Sequence, residues 1–287
     1  MQRPAYIVCA TPRSGSTLLC ELLKSTGVAG RPEEYFEARA DTGLPPRPGE
    51  YLEGLPRTGA GVRDNDAPPE PSAYSDLRGV GDYREHLERS FRLGTTANGV
   101  FATKLMWRNL ADLHRLATQL PDYAGLGDHE LLEALFLRPR YVWMTRREKL
   151  RQAISLWRAL QTRTWRLEHP GAAANEDSLH YSYEAIDHLR RQLSADDDRW
   201  GAYLRRHRRA SITVVYEDDL EQHQQDTIEH VLDHLGVRAP RGWRAPVPTY
   251  RQADALTERW VEEYRREQRR RGAAAPESEL ERRQAVL

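Results

Sequence analysis

The first twenty-five residues constrain the fold of this chain more than any other stretch. A short apolar run over residues 6–10 (Tyr-Ile-Val-Cys-Ala) stops at Thr11-Pro12, and a polar turn over residues 13–17 (Arg-Ser-Gly-Ser-Thr) follows. Leucines at positions 18, 19, 22 and 23 then share one helical face. A strand, a Gly/Ser turn and a helix N-terminus form an anion cradle, because the turn amides point outward and the helix dipole favours negative charge. The sequence therefore predicts that this turn holds a phosphate or sulfate ester.

The turn differs from the phosphate-binding loops of other enzyme classes. A Walker A loop needs a second glycine and then Lys followed by Ser or Thr, whereas here there is one glycine and the charged residue, Arg13, precedes it. A phosphatase loop needs a reactive thiolate, but Cys9 lies inside the apolar run and Cys20 on the helix, so both are predicted to be small buried residues. These two cysteines form no disulfide framework, and the ten histidines show no metal-ligand spacing. No metal site is predicted.

Further alternation of strands and helices predicts an α/β fold. Apolar runs at 100–107, 141–145 and 211–216 are typical of buried strands. Helical periodicity follows at 150–160, 183–208 and 228–235, and Gly236 is a C-cap signal for the last of these helices. This order favours a P-loop-like, three-layer fold with a central, mostly parallel sheet flanked by helices.

The length and the distribution of Pro and Gly predict one domain over residues 1–271. Residues 40–81 are crowded with Pro and Gly and are predicted to form a long surface loop or lid. The charge run 265–271 is interpreted as a solvated helix face, and residues 272–287 as a mobile tail.

The charge balance and hydropathy exclude other classes of protein. Lys plus Arg and Asp plus Glu are equal at 43 each, which disfavours a nucleic-acid partner. There is no run of 18 apolar residues, so no membrane span is predicted. The apolar stretch at the N-terminus is too short for a signal peptide and leads directly into the cradle, so we expect a cytoplasmic enzyme.

The turn at residues 13–17 resembles the 5′-phosphosulfate loop of sulfotransferases that use 3′-phosphoadenosine 5′-phosphosulfate (PAPS). Its continuation, Thr26-Gly-Val-Ala-Gly30 into Arg31-Pro-Glu-Glu-Tyr-Phe36, resembles the bacterial trehalose 2-sulfotransferase family. Four later segments extend the likeness over most of the chain. The resemblance implies a metal-free sulfotransferase domain, a sugar or glycoside acceptor and a homodimer.

The same resemblance implies a donor site built from three segments. The 5′-phosphate lies on the turn, and its residues are Arg13, Ser14, Gly15, Ser16 and Thr17. The 3′-phosphate is held by Arg146 and Ser155; the adjacent Arg147 leaves the choice of arginine open. A guanidinium suits this task because it clamps phosphate oxygens with two hydrogen bonds. A C-terminal loop contributes Arg251 and Gln252.

On the acceptor side the resemblance selects Glu34 as the general base, with Glu33 and Glu37 as close competitors. A sugar hydroxyl needs a carboxylate within hydrogen-bond reach to take its proton, and Arg13 supplies positive charge for the transfer. The further substrate-binding candidates are Lys104, Trp107, Gln161 and Trp165. By resemblance, Lys104 meets the donor sulfate or the acceptor, and the segment from Gln161 to Trp165 lines the acceptor region or a subunit contact. Glu217 and Asp218 are interpreted as structural residues that brace the turn after a strand.

Two other functions stay open on the sequence. One is a P-loop-like nucleotide kinase or NTPase, which would need the missing Walker lysine. The other is a non-catalytic nucleotide-binding protein with residues 40–81 as an interaction element. The acceptor is also open, between trehalose and a sugar of a secondary metabolite. A Glu34→Gln change separates enzyme from sensor, since only an enzyme has turnover to lose.

Overall fold

Four parallel strands form the centre of the molecule. The computed structural model describes residues 4–55, 77, 82–163, 165, 179–208, 210–246 and 255–284. The strands are β1 (Ala5–Ala10), β2 (Phe101–Met106), β3 (Arg140–Thr145) and β4 (Ser211–Val215), in the order β2-β1-β3-β4. All four are predicted by the apolar runs of the sequence, to within a residue at either end.

The strand order reverses at β1, which pairs with β2 on one side and with β3 on the other. The register runs from Ala5 opposite Phe101 to Ala10 opposite Met106, and from Tyr6 opposite Arg140 to Cys9 opposite Trp143. In open α/β sheets, ligands bind in the crevice outside the carboxyl ends of strands where the order reverses. The turns after β1 and β3 meet at this crevice, so the predicted anion cradle lies where this fold binds ligands.

Eight helices surround the sheet in the described part of the chain. They are α1 (Ser16–Ser25), α2 (Tyr83–Gly94), α3 (Leu110–Ala117), α4 (Asp128–Leu135), α5 (Lys149–Thr162), α6 (Tyr183–Arg206), α7 (Gln224–Leu235) and α8 (Ala255–Gln284). Side chains at the helix starts satisfy free amides: Asp82 accepts from the amide of Glu85, and Ser182 from that of Ala185. Gly236 ends α7 in the left-handed conformation (φ 70°), as the sequence predicts.

The two faces of β1 belong to different layers. Ile7 and Cys9 pack into a cluster with α2, α3, α4 and α6, whereas Tyr6, Val8 and Ala10 pack against α1 and α7. A parallel strand covered on both faces must be apolar throughout, which is why its sequence reads as a continuous run. The predicted three-layer α/β architecture is confirmed.

A third cluster joins α5, α6 and α8 with a short 3₁₀ turn, Pro48–Leu52. Tyr51 and Leu52 of that turn are only 7% and 9% exposed. The stretch 40–81 is therefore not all surface, because its turn packs into a helical core; residues 56–76 and 78–81 lie outside the described residues. The amide of Leu77 donates to the carbonyl of Gly43 (3.1 Å).

Helix α8 packs by one side and exposes the other. Trp260, Val261 and Tyr264 are buried, and the arginines of the predicted solvated run (265, 266 and 269–271) are exposed. Beyond residue 271 the chain continues as helix to Gln284, where the sequence predicts a mobile tail. Within the described ranges, we find no helix with the length and apolarity to cross a membrane.

Candidate active site

The loop between β1 and α1 is fixed by side chains from two other helices. Gln152 on α5, fully buried, donates to Thr11 Oγ1 (2.9 Å) and to the carbonyl of Pro12 (2.7 Å). The indole of Trp200 on α6 donates to the carbonyl of Ala10 (3.1 Å). Because these loop carbonyls are bonded to buried side chains, the loop keeps one shape.

Gly15 allows the loop to turn tightly into α1. Its φ is +97°, and a Cβ at this position would lie 2.4 Å from Cδ2 of Tyr216 and 3.0 Å from Cε of Met144. The first amides of α1 have no partner within the helix, so they are free to bind an anion. Within the described residues, the buried hydroxyl of Ser14 also has no hydrogen-bond partner. Ser16 is buried as well, and Thr17 is half-buried.

Arg13 lies at the centre of a group of three arginines. Its Nε donates to Ser155 Oγ (3.0 Å) and its Nη1 to the carbonyl of Trp165 (2.6 Å). Burial, together with repulsion by Arg146 and Arg158, lowers the pKa of Arg13 to about 10. The guanidinium stays charged at neutral pH, so a bound anion would relieve this repulsion.

The two adjacent arginines after β3 have different surroundings. The side chain of Arg146 is 18% exposed; its Nη1 donates to the carbonyl of Arg13 (3.4 Å), and its guanidinium lies 4.8 Å from the ring centre of Tyr216. The side chain of Arg147 is 63% exposed and pairs with Asp218 at the surface. Arg146 therefore faces the loop and Arg147 faces away from it.

Glu217 determines which of these two arginines faces the loop. Its carboxylate accepts from the amides of Arg147 (2.9 Å) and Glu148 (3.1 Å), and lies 3.4 Å from Nε of Arg146. Burial alone would raise the pKa of Glu217, but the hydrogen bonds from backbone amides and the charge of Arg146 together outweigh it and lower the pKa. Glu217 and Asp218 thus have the structural, bracing contacts expected of them.

The three candidate general bases differ in their burial and in their charged partners. Glu33 is buried, and its carboxylate pairs with Lys24 (2.5 Å). Glu34 is 24% exposed at the side chain and pairs with Nζ of Lys104 (2.7 Å), which also donates to Thr17 Oγ1 (3.4 Å). Glu37 is half-buried and lies in electrostatic reach of Tyr51. Glu34 is thus joined to the loop by one buried lysine.

The remaining candidates do not all meet at the loop. Trp165, 39% exposed, contacts Arg13 through its carbonyl. Trp107 packs edge-on against Trp200 (5.0 Å between ring centres). The carboxamide of Gln161 is bonded in both directions to the main chain of His180 (3.2 and 2.8 Å). The predicted donor contacts Arg251 and Gln252 lie outside the described residues.

Two residues on α5 contribute to this site but are not predicted from the sequence. Gln152, Ser155 and Arg158 are spaced by three, so they lie along one side of the helix, toward the loop. Arg158 is in electrostatic contact with Arg13 and donates to Thr257 Oγ1 (2.9 Å) at the start of α8. A row of polar residues at three-residue spacing beside the apolar stripe of the helix is the signal that would have identified Gln152 and Arg158.

An open cleft of about 410 Å³ lies elsewhere, between α6 and strands β3 and β4. Its lining residues are Trp143, Gly201, Leu204, Arg205, Arg208, Ser211 and Thr213. None of them belongs to the loop, to Glu34 or to the arginine group. The convergence of charged groups, rather than the size of a cavity, therefore locates the candidate site. In the same described part of the chain, no three His, Cys, Asp or Glu side chains are grouped as metal ligands would be.

Comparison with known proteins shows what this chain is similar to. The family model described as Stf0 sulphotransferase matches residues 5–267. The trehalose 2-sulfotransferase of Mycobacterium tuberculosis is 35% identical over 274 residues, 93% of this chain and 96% of the relative. The trehalose 2-sulfotransferase of Mycolicibacterium smegmatis is 35% identical over 277 residues, 93% and 97% of the two chains. The crystal structure of sulfotransferase STF9 from Mycobacterium avium aligns with a TM-score of 0.42 at 16% identity, covering 92% of this chain and 67% of that one.

Proposed function

This chain belongs to the Stf0 sulphotransferase family, and on that premise we propose that it transfers a sulfuryl group from PAPS to a hydroxyl of a carbohydrate or glycosylated metabolite. Membership makes the chain an enzyme of the sulfotransferase class. The donor, the base and the acceptor are the parts that we infer.

The observation that carries the proposal is the bridge formed by Lys104. Its ammonium lies 2.7 Å from Oε1 of Glu34 and 3.4 Å from Oγ1 of Thr17. One buried cation thus connects the candidate base to the candidate donor loop. Such proximity suits a reaction in which the acceptor oxygen, the transferred group and the leaving oxygen must lie in line.

The loop suits the 5′-phosphosulfate end of the donor. The hydroxyl of Ser14, which has no partner among the described residues, and the first amides of α1 are donors that an anion would satisfy. Gly15 has no side chain, so it fits closely against Tyr216 and covers none of the loop backbone. Ser16 and Thr17 add hydroxyl donors, and Arg13 adds charge.

The 3′-phosphate is assigned to Arg146 and Ser155. The hydroxyl of Ser155 accepts from Arg13, which leaves its own proton available for a phosphate oxygen. The low exposure of Arg146 and its position beside Arg13 favour it over Arg147. Arg251 and Gln252 stay assigned to the donor by resemblance.

In the reaction, Glu34 takes the proton of the acceptor hydroxyl as that oxygen bonds to sulfur. The bond between sulfur and the 5′-phosphate oxygen breaks, and the negative charge that develops there is stabilised by Arg13, Lys104 and the loop amides. When bound, PAPS supplies the sulfuryl group. The products are a sulfate ester and 3′-phosphoadenosine 5′-phosphate (PAP).

The acceptor proposed first is trehalose, because the curated relatives carry that name. The exposed ring of Trp165 can contact it, and Lys104, Trp107 and Gln161 stay acceptor-side candidates by resemblance. A homodimer is proposed from the family resemblance, and a cytoplasmic location stays the expectation from the sequence.

The test is incubation of the purified chain with PAPS and an acceptor panel that includes trehalose, with sulfate addition scored by mass spectrometry. Calorimetry with PAP measures the donor site separately. Sulfated product together with PAP binding is the expected result. PAP binding without product on any sugar would indicate a nucleotide-binding protein, and transfer only from ATP with Mg²⁺ would indicate a kinase; either result contradicts the proposal.

A further inference from the structure

A stack of three side chains lies beside the candidate base, and two of them come from segments outside the predicted site. The guanidinium carbon of Arg108 lies 3.6 Å from the ring centre of Tyr51. The ring of Trp165 is 5.8 Å from that of Tyr51, tilted by 38°. Tyr51 belongs to the Pro48–Leu52 turn, and Arg108 to the turn directly after β2. We call this group the Arg108–Tyr51–Trp165 stack.

The stack reaches both halves of the site. At one end, the carbonyl of Trp165 accepts from Nη1 of Arg13 (2.6 Å). At its centre, burial raises the pKa of Tyr51 to about 12. Arg108 opposes this shift, and Glu37 and Glu34 add to it. The Tyr51 ring is therefore within electrostatic reach of the candidate base. Because the stack lies within electrostatic reach of Glu34 and Glu37, we place it on the acceptor side.

Arg108 has unused hydrogen-bonding capacity. Its flat face rests on Tyr51, an arrangement that holds a guanidinium in place. Within the described residues, its N–H groups have no hydrogen-bond acceptor and no carboxylate at ion-pair distance. The residue is half-buried. Five donors in a fixed plane, at the edge of a site, are suited to bind oxygen atoms of a ligand.

The charges around the stack restrict what that ligand can be. Glu34, Glu37 and, in electrostatic reach of Arg108, Asp196 surround it with carboxylates. Glu34 and Asp196 are paired with Lys104 and Arg199, so the stack faces charges of both signs. A neutral ring with several hydroxyls offers acceptors to Arg108 and donors to the acids, and its apolar face can lie on Trp165.

We propose that Arg108, held flat against Tyr51, selects and orients the acceptor by donating hydrogen bonds to oxygens of a neutral polyhydroxylated ring that packs on Trp165. The inference rests on the proposed sulfuryl transfer. It adds Arg108 and Tyr51 to that site as specificity residues. Neither takes part in the proton transfer, which stays with Glu34.

The test uses Arg108→Ala and Arg108→Lys, with trehalose as the acceptor probe. Loss of a charge-assisted hydrogen bond should raise the KM for trehalose about 10- to 100-fold, with kcat and the Kd for PAP close to wild type. Lysine keeps the charge but cannot stack or form the planar fork, so its KM should also rise. Arg84→Ala, which removes an exposed arginine paired with Asp122, is the matched control and should leave KM unchanged.

Two variants of Tyr51 separate contact from folding. Tyr51→Phe keeps the ring under Arg108 and should keep the wild-type KM, whereas Tyr51→Leu removes the ring and should resemble Arg108→Ala. An unchanged trehalose KM in Arg108→Ala, or an effect confined to the Kd for PAP, overturns the inference while the proposed function stands. A wild-type chain that binds PAP but sulfates no acceptor overturns the proposed function, and this inference with it.

Discussion

Gly15→Ala is the substitution whose effect can be worked out most directly from the structure. Gly15 has a φ of +97°, where an L-residue is strained by about 1–2 kcal/mol. The new Cβ would lie 2.4 Å from Cδ2 of Tyr216, and forcing an extra methyl group into a packed site costs about 1–3 kcal/mol. The expected loss in the free energy of unfolding is therefore about 2–5 kcal/mol.

The same change should weaken donor binding. Tyr216 lies under the guanidinium of Arg146 (4.8 Å), so a ring displaced by the new methyl group moves a proposed phosphate ligand as well as the loop amides. We expect the Kd for PAP to rise about tenfold or more, the loss of one charged hydrogen bond.

Urea unfolding followed by tryptophan fluorescence measures the stability, and calorimetry measures the Kd. Gly27→Ala is the matched control, because Gly27 also has a positive φ (+69°) but nothing lies within 4 Å of the new Cβ. It should cost about 1 kcal/mol from strain alone. In a Tyr216→Ala background, Gly15→Ala should cost less, since its clash partner is gone. If Gly15→Ala destabilises no more than Gly27→Ala, the packing argument is refuted.

Three other perturbations test different parts of the site. Arg146→Ala should raise the Kd for PAP about 30- to 100-fold. Arg147→Ala, at an exposed ion pair, should change this Kd less than about fivefold. Equal effects of the two variants in calorimetry would contradict the assignment of the 3′-phosphate to Arg146. Lys104→Met should lower kcat about 100-fold, as loss of one charge-stabilising donor does, and a kcat close to wild type in steady-state kinetics would exclude that role. Burial lowers the pKa of His86 from 6.5 to about 4, so below pH 6.5 the unfolded chain binds a proton that the folded chain does not, and stability falls as the pH decreases. Urea unfolding should show that the free energy of unfolding falls by about 2 kcal/mol between pH 7 and pH 5 because of this group. His86→Gln should lack this loss, and the same pH dependence of stability in both proteins would refute the prediction.

The sheet could be predicted because its strands are covered on both faces. Each strand of the core must then be a continuous apolar run, which is visible without knowledge of its partners. Helix α2, in contrast, could not be predicted from the sequence. Two of its buried positions are polar, His86 and Ser90, so the apolar periodicity is interrupted and the helix is not predicted.

The site could be predicted only as far as its local motifs extend. The turn at Arg13 to Thr17 is contiguous, and its geometry follows from one glycine and a helix start. The Glu34–Lys104 pair joins residues seventy positions apart, and it depends on the packing of the segment around Glu34 against β2, the strand that contains Lys104. No local pattern contains that information.

The distinction between Arg146 and Arg147 has the same origin. Both follow β3 and are chemically equivalent in the sequence. Glu217, seventy residues later, binds the amides after β3 and thereby fixes which arginine faces the loop. The contact between Arg108 and Tyr51 is likewise non-local, since it joins a turn after β2 to a turn within a Pro/Gly-rich stretch.

The central claim is that Glu34 is the base of a sulfuryl transfer whose donor lies on the neighbouring loop. Turnover of PAPS with trehalose and calorimetric PAP binding, measured for Glu34→Gln and for the control Glu37→Gln, test it most directly. We predict that Glu34→Gln loses about 10²- to 10⁴-fold in kcat with the Kd for PAP within about twofold of wild type, while Glu37→Gln keeps most of its turnover. Retained turnover in Glu34→Gln, or a loss confined to Glu37→Gln, would contradict the account.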